Sequence, residues 1–511
     1  MYVVLIRTAG NQRYIFSSGK RKEIAGASEL IARVNNSWVW DALREEFPGF
    51  SRDWRIGAAA AELVVAGAGR IVVLVDDPAR GRKLVTRVTT RALCEAPGLD
   101  VCGVVVECQP GSLSETIREA ERKLQEVREA RPGPEIRFPR LPLVEDCASN
   151  GLPATEIRPE GKNEPPQARS PVAVAKLNAY ESALVRLAQT AGSDRRTMQC
   201  IVDRLGLMAE WVAVVHADGN SLGEVFRSLS ARAGGLDDAD YADMYRDVSA
   251  GVDECAEKAF RIALDRIRGG SEEQPPVLPL VLGGDDLTVV CEGEVALPFA
   301  RHYLEAFEEE TARNPLIQKS GYPGLQAAAG VAIVKRNYPF HFAYHLAERL
   351  VAEEAKSVKE FGSALAFVVL MESAAPDLKR LRGEGSARSA SPYLVGKGSG
   401  QGESWEDLER RVAALGRRDP LSGEALIPRG AVHELREGLG LGDEVAAARL
   451  EMLRRRFAGE PERRRALDDL TDGVTSDDLT DDALRGLPDA MAAFPFLRVE
   501  EAARSTEEAV G

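Results

Sequence analysis

The sequence predicts an α+β protein: two ferredoxin-like units in tandem, then a helical C-terminal region. Three observations carry this reading. Residues 62–77 (ELVVAGAGRIVVLVDD) and 277–293 (VLPLVLGGDDLTVVCEG) each place two apolar, β-branched runs around a glycine-containing turn, a hairpin pattern. A strand and an amphipathic helix precede each hairpin, and a helix and a strand follow it. Beyond residue 400 the spacing is helical and the composition strongly charged.

The elements follow in order. Residues 1–130 form the first unit: a strand at 2–7, a second strand at 13–17, and a helix from near Lys22 that buries Ile24, Ala27, Leu30 and Ile31. The hairpin around Gly67-Ala68-Gly69-Arg70 comes next, then a helix at 78–95, a strand at 101–107 and a helix at 112–130. Residues 131–207 are a proline-rich connector whose helical spacing resumes at 173–205. Residues 208–375 have the clearest grammar. A strand at 211–216 leads to a helix with Met244, Val248, Val252, Ala256 and Phe260 four residues apart. Hairpin strands at 277–282 and 287–291, a helix at 296–313, a strand at 326–334, a helix at 341–360 and a strand at 364–371 complete it. The order is β-α-β-β-α-β with an extra α-β. A Gly/Ser-rich loop is expected at 376–400, and charged helices over 401–511.

Bulk properties bound the function. The chain has 511 residues, enough for two to four domains, with 44% hydrophobic and 29% charged residues. A net charge of −14 argues against a surface that coats nucleic acid throughout, while leaving room for a local basic groove. Cys94, Cys102, Cys108, Cys147, Cys200, Cys255 and Cys291 are odd in number and contain no C-x-x-C pair, so reduced thiols are expected rather than disulfides or a zinc ribbon. Neither a His-Asp pair nor H-E-x-x-H occurs, and His341 and His345 read as structural. The opening MYVVLIRTAG is not expected to act as a signal peptide, and no run approaches the ~18 apolar residues of a membrane span. A cytoplasmic protein without a membrane partner is expected.

The chemistry concentrates in Gly283-Gly284-Asp285-Asp286. Two carboxylates at a tight turn repel unless a cation offsets them, and the glycines leave space for a phosphate. Mg²⁺ or Mn²⁺ prefers carboxylate and phosphate oxygens, so a further carboxylate is expected from a neighbouring strand. Asp218, just past the strand WVAVVH, is that candidate, facing Asp285 and Asp286 across adjacent strand ends. The following loop, Gly219, Asn220, Ser221, Leu222 and Gly223, leads into a helix whose N–H groups suit a triphosphate. Two metal ions so held could activate a 3′-hydroxyl and stabilise departing pyrophosphate. Lys356, on the helix before the last strand, is placed to reach a γ-phosphate; a solvated surface lysine is the competing reading.

The segments HADGNSLGEVF, LGGDDLTVV and AERLVAEEAK resemble the large polymerase-cyclase subunits of type III CRISPR effector complexes. YIFSSGKRKEIAGASELI, AGAGRIVVLV and CASNGLPA add a looser likeness, so that the resemblance spans residues 1–375. It implies tandem palm domains, the first degenerate and the second catalytic. It further implies synthesis of cyclic oligoadenylate from ATP with two divalent metals, as a messenger in antiviral defence. Asp218, Asp285 and Asp286 match the metal positions, and Lys356 matches a phosphate contact. The first hairpin tip carries no carboxylate, and Asp76 and Asp77 read as turn residues. A histidine-aspartate nuclease motif and zinc-finger cysteine pairs, frequent in the family, are missing from the sequence, so a shortened or stand-alone relative is expected.

Nucleoside triphosphates are thus the expected ligands, with RNA, CRISPR effector subunits and a second copy as open partners. Asp286-Leu287 departs from the Glu-Phe pair of the related GGDEF cyclases. The alternatives are a non-catalytic nucleotide-binding scaffold and a subunit of an RNA-guided complex working through its helical end. Arg454-Arg455-Arg456 and Arg463-Arg464-Arg465 alternate with acids and read as a solvated face rather than an RNA contact. The acids of DDLTDGVTSDDLTDD read as helix caps.

Overall fold

A computed structural model describes residues 1–159, 165–220, 222–223, 225–226, 237–319, 321–371, 377–382, 389–396, 403–473 and 484–499. In the first unit, β1 (Tyr2–Ala9) leads through α1 (Asn11–Phe16), α2 (Arg21–Arg33), a π-helical turn (Val34–Trp38) and α3 (Val39–Glu46) to the hairpin β2 (Ala61–Gly67) and β3 (Arg70–Val75). α4 (Pro78–Glu95), β4 (Asp100–Glu107) and α5 (Leu113–Glu129) follow. The strands order as β2-β3-β1-β4, with β1 antiparallel to both β3 and β4.

Residues 13–17 are not the expected strand; they lie in and just after α1. Gly10 adopts φ +60 and reverses the chain, and Tyr14, Ile15 and Phe16 then bury together. Asp77 is a turn residue as expected: it caps α4, accepting the Ala79 N–H at 2.7 Å.

The connector holds a short hairpin, β5 (Glu156–Arg158) with β6 (Gln167–Arg169), before α6 (Pro171–Thr190) and α7 (Arg195–Leu207). α6 crosses α2 closely. A methyl group on Gly26 would lie 1.8 Å from the Lys176 carbonyl oxygen, so only glycine permits this approach.

The second unit comprises β7 (Trp211–Gly219), α8 (Asp238–Arg268), β8 (Val277–Gly283), β9 (Asp286–Glu292), α9 (Gly293–Arg313), α10 (Pro315–Lys319) and β10 (Ala327–Lys335). The expected helix at 341–360 begins as α11 (Phe340–Arg349), widens into a π turn (Leu350–Glu354) and tightens into a 3₁₀ turn (Ala355–Val358). β11 (Ser363–Leu370) follows. The sheet runs β12-β11-β10-β7-β9-β8. Its β8-β9-β7-β10 portion repeats the order of the first sheet, the arrangement that β-α-β-β-α-β connectivity predicts. One apolar core runs through both sheets and the connector helices.

The stretch expected as a loop at 376–400 contains α12 (Leu378–Arg382) and β12 (Tyr393–Val395), which extends the sheet edge. Residues 376, 383–388 and 397–400 of that stretch lie outside the described residues. The C-terminal region is helical: α13 (Trp405–Gly416), α14 (Arg429–Leu441), α15 (Asp443–Arg456), α16 (Pro461–Leu470) and α17 (Leu487–Ala493), with a core of its own around Leu435, Leu450, Leu467 and Leu487. Arg454 pairs with Asp468, Arg455 with Glu451 and Arg463 with Glu460. Residues 474–482 of the acidic run lie outside the described residues. No described helix is long and apolar enough to cross a membrane.

Candidate metal and nucleotide site

β7 occupies the middle of its sheet, between β9 and β10. Its register with β9 pairs His216 with Thr288 and Ala217 with Leu287, so the next step sets Asp218 opposite Asp286. Side chains alternate along strands, and His216, Asp218, Thr288 and Asp286 therefore share one face. His216 is buried, with Nδ1 3.2 Å from both the Leu287 carbonyl oxygen and Thr288 Oγ1. Burial pushes its pKa down, keeping a neutral ring beneath the carboxylates. Asp218 lies inside the end of β7 rather than past it, and Gly219 is the last residue of that strand.

Across the hairpin, Gly283 pairs with Asp286 and leaves Gly284 and Asp285 as a two-residue turn. Gly284 takes φ +61 while Asp285 does not have a positive φ, which is the type II′ pattern with glycine first. Gly219 makes room for the turn: a methyl group there would sit 2.6 Å from Asp285 Cβ and 2.9 Å from its Oδ2. Asp285 can thus lean over the end of β7.

The result is a cluster in which one carboxylate oxygen each from Asp218, Asp285 and Asp286 lies within 4.8 Å of the others. Burial raises the Asp285 pKa to about 6, with the Asp218 charge adding to it. Burial also raises Asp286, helped by the charges of Asp218 and Asp285. Lys356, on the 3₁₀ turn, donates to Asp218 Oδ2 and offsets part of the charge. Three hard oxygen donors whose mutual repulsion a cation relieves fit Mg²⁺ or Mn²⁺.

Asn220 is 5% exposed, its backbone N–H reaches the Gln326 carbonyl oxygen at 2.7 Å, and its side-chain amide finds no hydrogen-bond partner among the described residues. Leu222 and Gly223 line a cavity of about 280 Å³ together with Gly284, Asp285 and Asp286. Ser221 lies outside the described residues. The opposite wall comes from the first unit: Arg7, Gly67, Ala68 and Arg70.

Sequence reading missed two contributors. Asp253, on α8, accepts the Gly284 N–H. Its signal was weak, since Asp253 flanks the buried stripe beside Val252 and is followed directly by Glu254. The first hairpin tip also abuts the second, since a methyl group on Gly284 would lie 3.1 Å from Ala68 Cβ. No local pattern announces that contact.

Residues 211–362 match a family model described as Cas10/Cmr2, second palm domain. The second unit is thus similar to the second palm domain of Cas10/Cmr2 proteins. The architecture of the chain is similar to a Csm1-Csm4 cassette crystallised with pppApApA, at 11% identity and a TM-score of 0.50, covering 96% of this chain and 69% of that one. The apo Csm1-Csm4 cassette gives 13% identity and the same TM-score, over 96% and 70%. At these identities the likeness establishes the shared fold: two palm sheets followed by a helical region. None of the curated proteins compared matches this chain.

Proposed function

We propose that the second palm is a metal-dependent nucleotidyltransferase that joins or cyclises nucleoside triphosphates, with ATP converted to a cyclic oligoadenylate and release of pyrophosphate. The messenger would act in CRISPR-like antiviral defence. The observation carrying this reading is the triad of Asp218, Asp285 and Asp286, two of which, Asp285 and Asp286, line an inter-palm cavity. The relative crystallised with pppApApA is consistent with it.

Asp218, Asp285 and Asp286 would hold the divalent ions. When bound, such ions lower the pKa of an attacking 3′-hydroxyl and neutralise charge on the leaving pyrophosphate. The protein's own residues supply position. Gly219 keeps the Asp285 turn close to Asp218, and Leu222 and Gly223 line the cavity beside Asp285 and Asp286. The Asn220 amide, without a partner among the described residues, is available to a polar ligand. Lys356 neutralises Asp218 in the free protein and would transfer its charge to a phosphate oxygen once the carboxylates are otherwise occupied.

Incubating the full chain with Mn²⁺ or Mg²⁺ and each nucleoside triphosphate, with and without RNA, tests the reading. Pyrophosphate and a cyclic oligonucleotide identified by mass spectrometry are expected, and both should vanish in an Asp285→Ala, Asp286→Ala double variant. Product formation unaffected by that variant would place the chemistry elsewhere. No product together with retained ATP binding would favour the scaffold alternative.

A further inference from the structure

α8 buries Tyr245, Val248, Val252, Cys255, Ala256 and Phe260, an apolar stripe at helical spacing. Asp253 departs from that stripe and reaches both hairpin turns. Oδ1 accepts the main-chain N–H of Gly284 and lies 3.9 Å from where a methyl group on Gly283 would stand. Oδ2 lies 3.0 Å from where a methyl group on Gly67 would stand, so the carboxylate is wedged between the tip of the second hairpin and that of the first. The tips also touch directly, with the Ala68 nitrogen 3.6 Å from the Cβ position of Gly283.

This placement has an electrostatic cost. The Asp253 carboxylate is a further negative charge close enough to raise the Asp285 pKa. A buried acid beside an acidic cluster is unfavourable unless it satisfies something otherwise unmet. The unmet group is the Gly284 N–H, which the hairpin ladder does not use because Gly283 and Asp286 form its last pair. Among the described residues, the group able to share a cation consists of Asp218, Asp285 and Asp286, without Asp253.

We infer that Asp253 is a positioning residue: it pins the Gly284 turn by its amide and, backed by the carboxylate-free first hairpin, holds Asp285 and Asp286 in place against Asp218. The first palm's turn thereby acts as a mechanical stop for the second. A hydrogen-bond acceptor is required at residue 253, whereas a charge is not.

The inference rests on the proposed metal site but not on turnover, and its test uses the full chain without nucleotide. Mn²⁺ binding is followed by the electron paramagnetic resonance of free Mn²⁺. Amide exchange in the peptide containing Gly284 is followed by mass spectrometry. Asp253→Ala should weaken Mn²⁺ binding about tenfold, the scale at which outer partners tune a metal site, and accelerate exchange at the turn. Asp253→Asn, which keeps an acceptor, should stay within about twofold of the parent. Gly67→Ala, far from any carboxylate ligand in sequence, should mimic Asp253→Ala in part by displacing the wedge. Far-ultraviolet circular dichroism verifies folding of each variant. Unchanged exchange in Asp253→Ala would overturn the inference, and equal damage in Asp253→Asn would show that charge is what matters. If the parent binds no Mn²⁺, the proposed function falls, and the exchange measurements alone decide the role of Asp253.

Discussion

Replacing Asp285 by asparagine should stabilise the metal-free protein while removing its response to metal. The carboxyl group is raised from the ordinary 3.8 to about 6, by burial first and by Asp218 second. Two pKa units correspond to about 3 kcal/mol between protonation states, and the partial exposure of the turn screens this to about 1–2 kcal/mol. The sign follows from proton uptake: between about pH 4 and about pH 6 the folded state binds more protons than the unfolded chain, so stability falls as pH rises through that window and is level above it. Asparagine has the same shape and carries no charge, so it escapes this loss. Urea unfolding in chelator, followed by tryptophan fluorescence with Trp211 at the start of β7, should show Asp285→Asn more stable than the parent by about 1–2 kcal/mol at pH 7.5 and indistinguishable at pH 4. Adding Mn²⁺ should raise the parent and leave the variant nearly unmoved. A variant equal to or less stable than the parent at pH 7.5 in chelator would refute charge repulsion at the turn.

Lys356→Met should leave Asp218 unpaired, cost about 1 kcal/mol in chelator for a partly exposed pair, and lower pyrophosphate release at saturating metal by about tenfold or more; unchanged release would return Lys356 to a surface role. Gly219→Ala places a methyl group 2.6 Å from Asp285 Cβ, so Mn²⁺ affinity should drop while the first palm stays folded, read by isothermal titration and circular dichroism. Gly26→Ala drives a methyl group into the Lys176 carbonyl oxygen and should destabilise the chain by about 2 kcal/mol or more in urea unfolding. Lys176 is fully buried and burial lowers its pKa to about 7, so below that pH the folded state carries the full cost of an enclosed ammonium. That cost fades as pH rises from about 7 toward the unfolded value of 10.5, and the stability of Lys176→Met relative to the parent should decline across the same range.

Much of this architecture was legible because its signals are local. β-Branched runs flanking Gly67–Arg70 and Gly283–Asp286 announce hairpins through neighbours a few residues apart, and the four-residue rhythm of α8 needs only one helix face. The approach of Asp218 to Asp286 was also within reach, since β-α-β-β-α-β connectivity seats the first strand beside the hairpin. α1 was misread because three successive buried apolar residues suit a strand and a helix alike, and the left-handed Gly10 that decided it is silent in the pattern.

What sequence alone determined, then, is the pair of hairpins, their glycines and the three carboxylates at strand ends. Only the tertiary structure decided that Lys356 reaches Asp218 across 138 residues and that Asp253 pins Gly284. It also brought the carboxylate-free turn at Ala68 against the acidic one. The reason is physical: hydrophobic periodicity is set by each element's own face, whereas the surroundings of a carboxylate are set by whichever distant segments the core packs beside it.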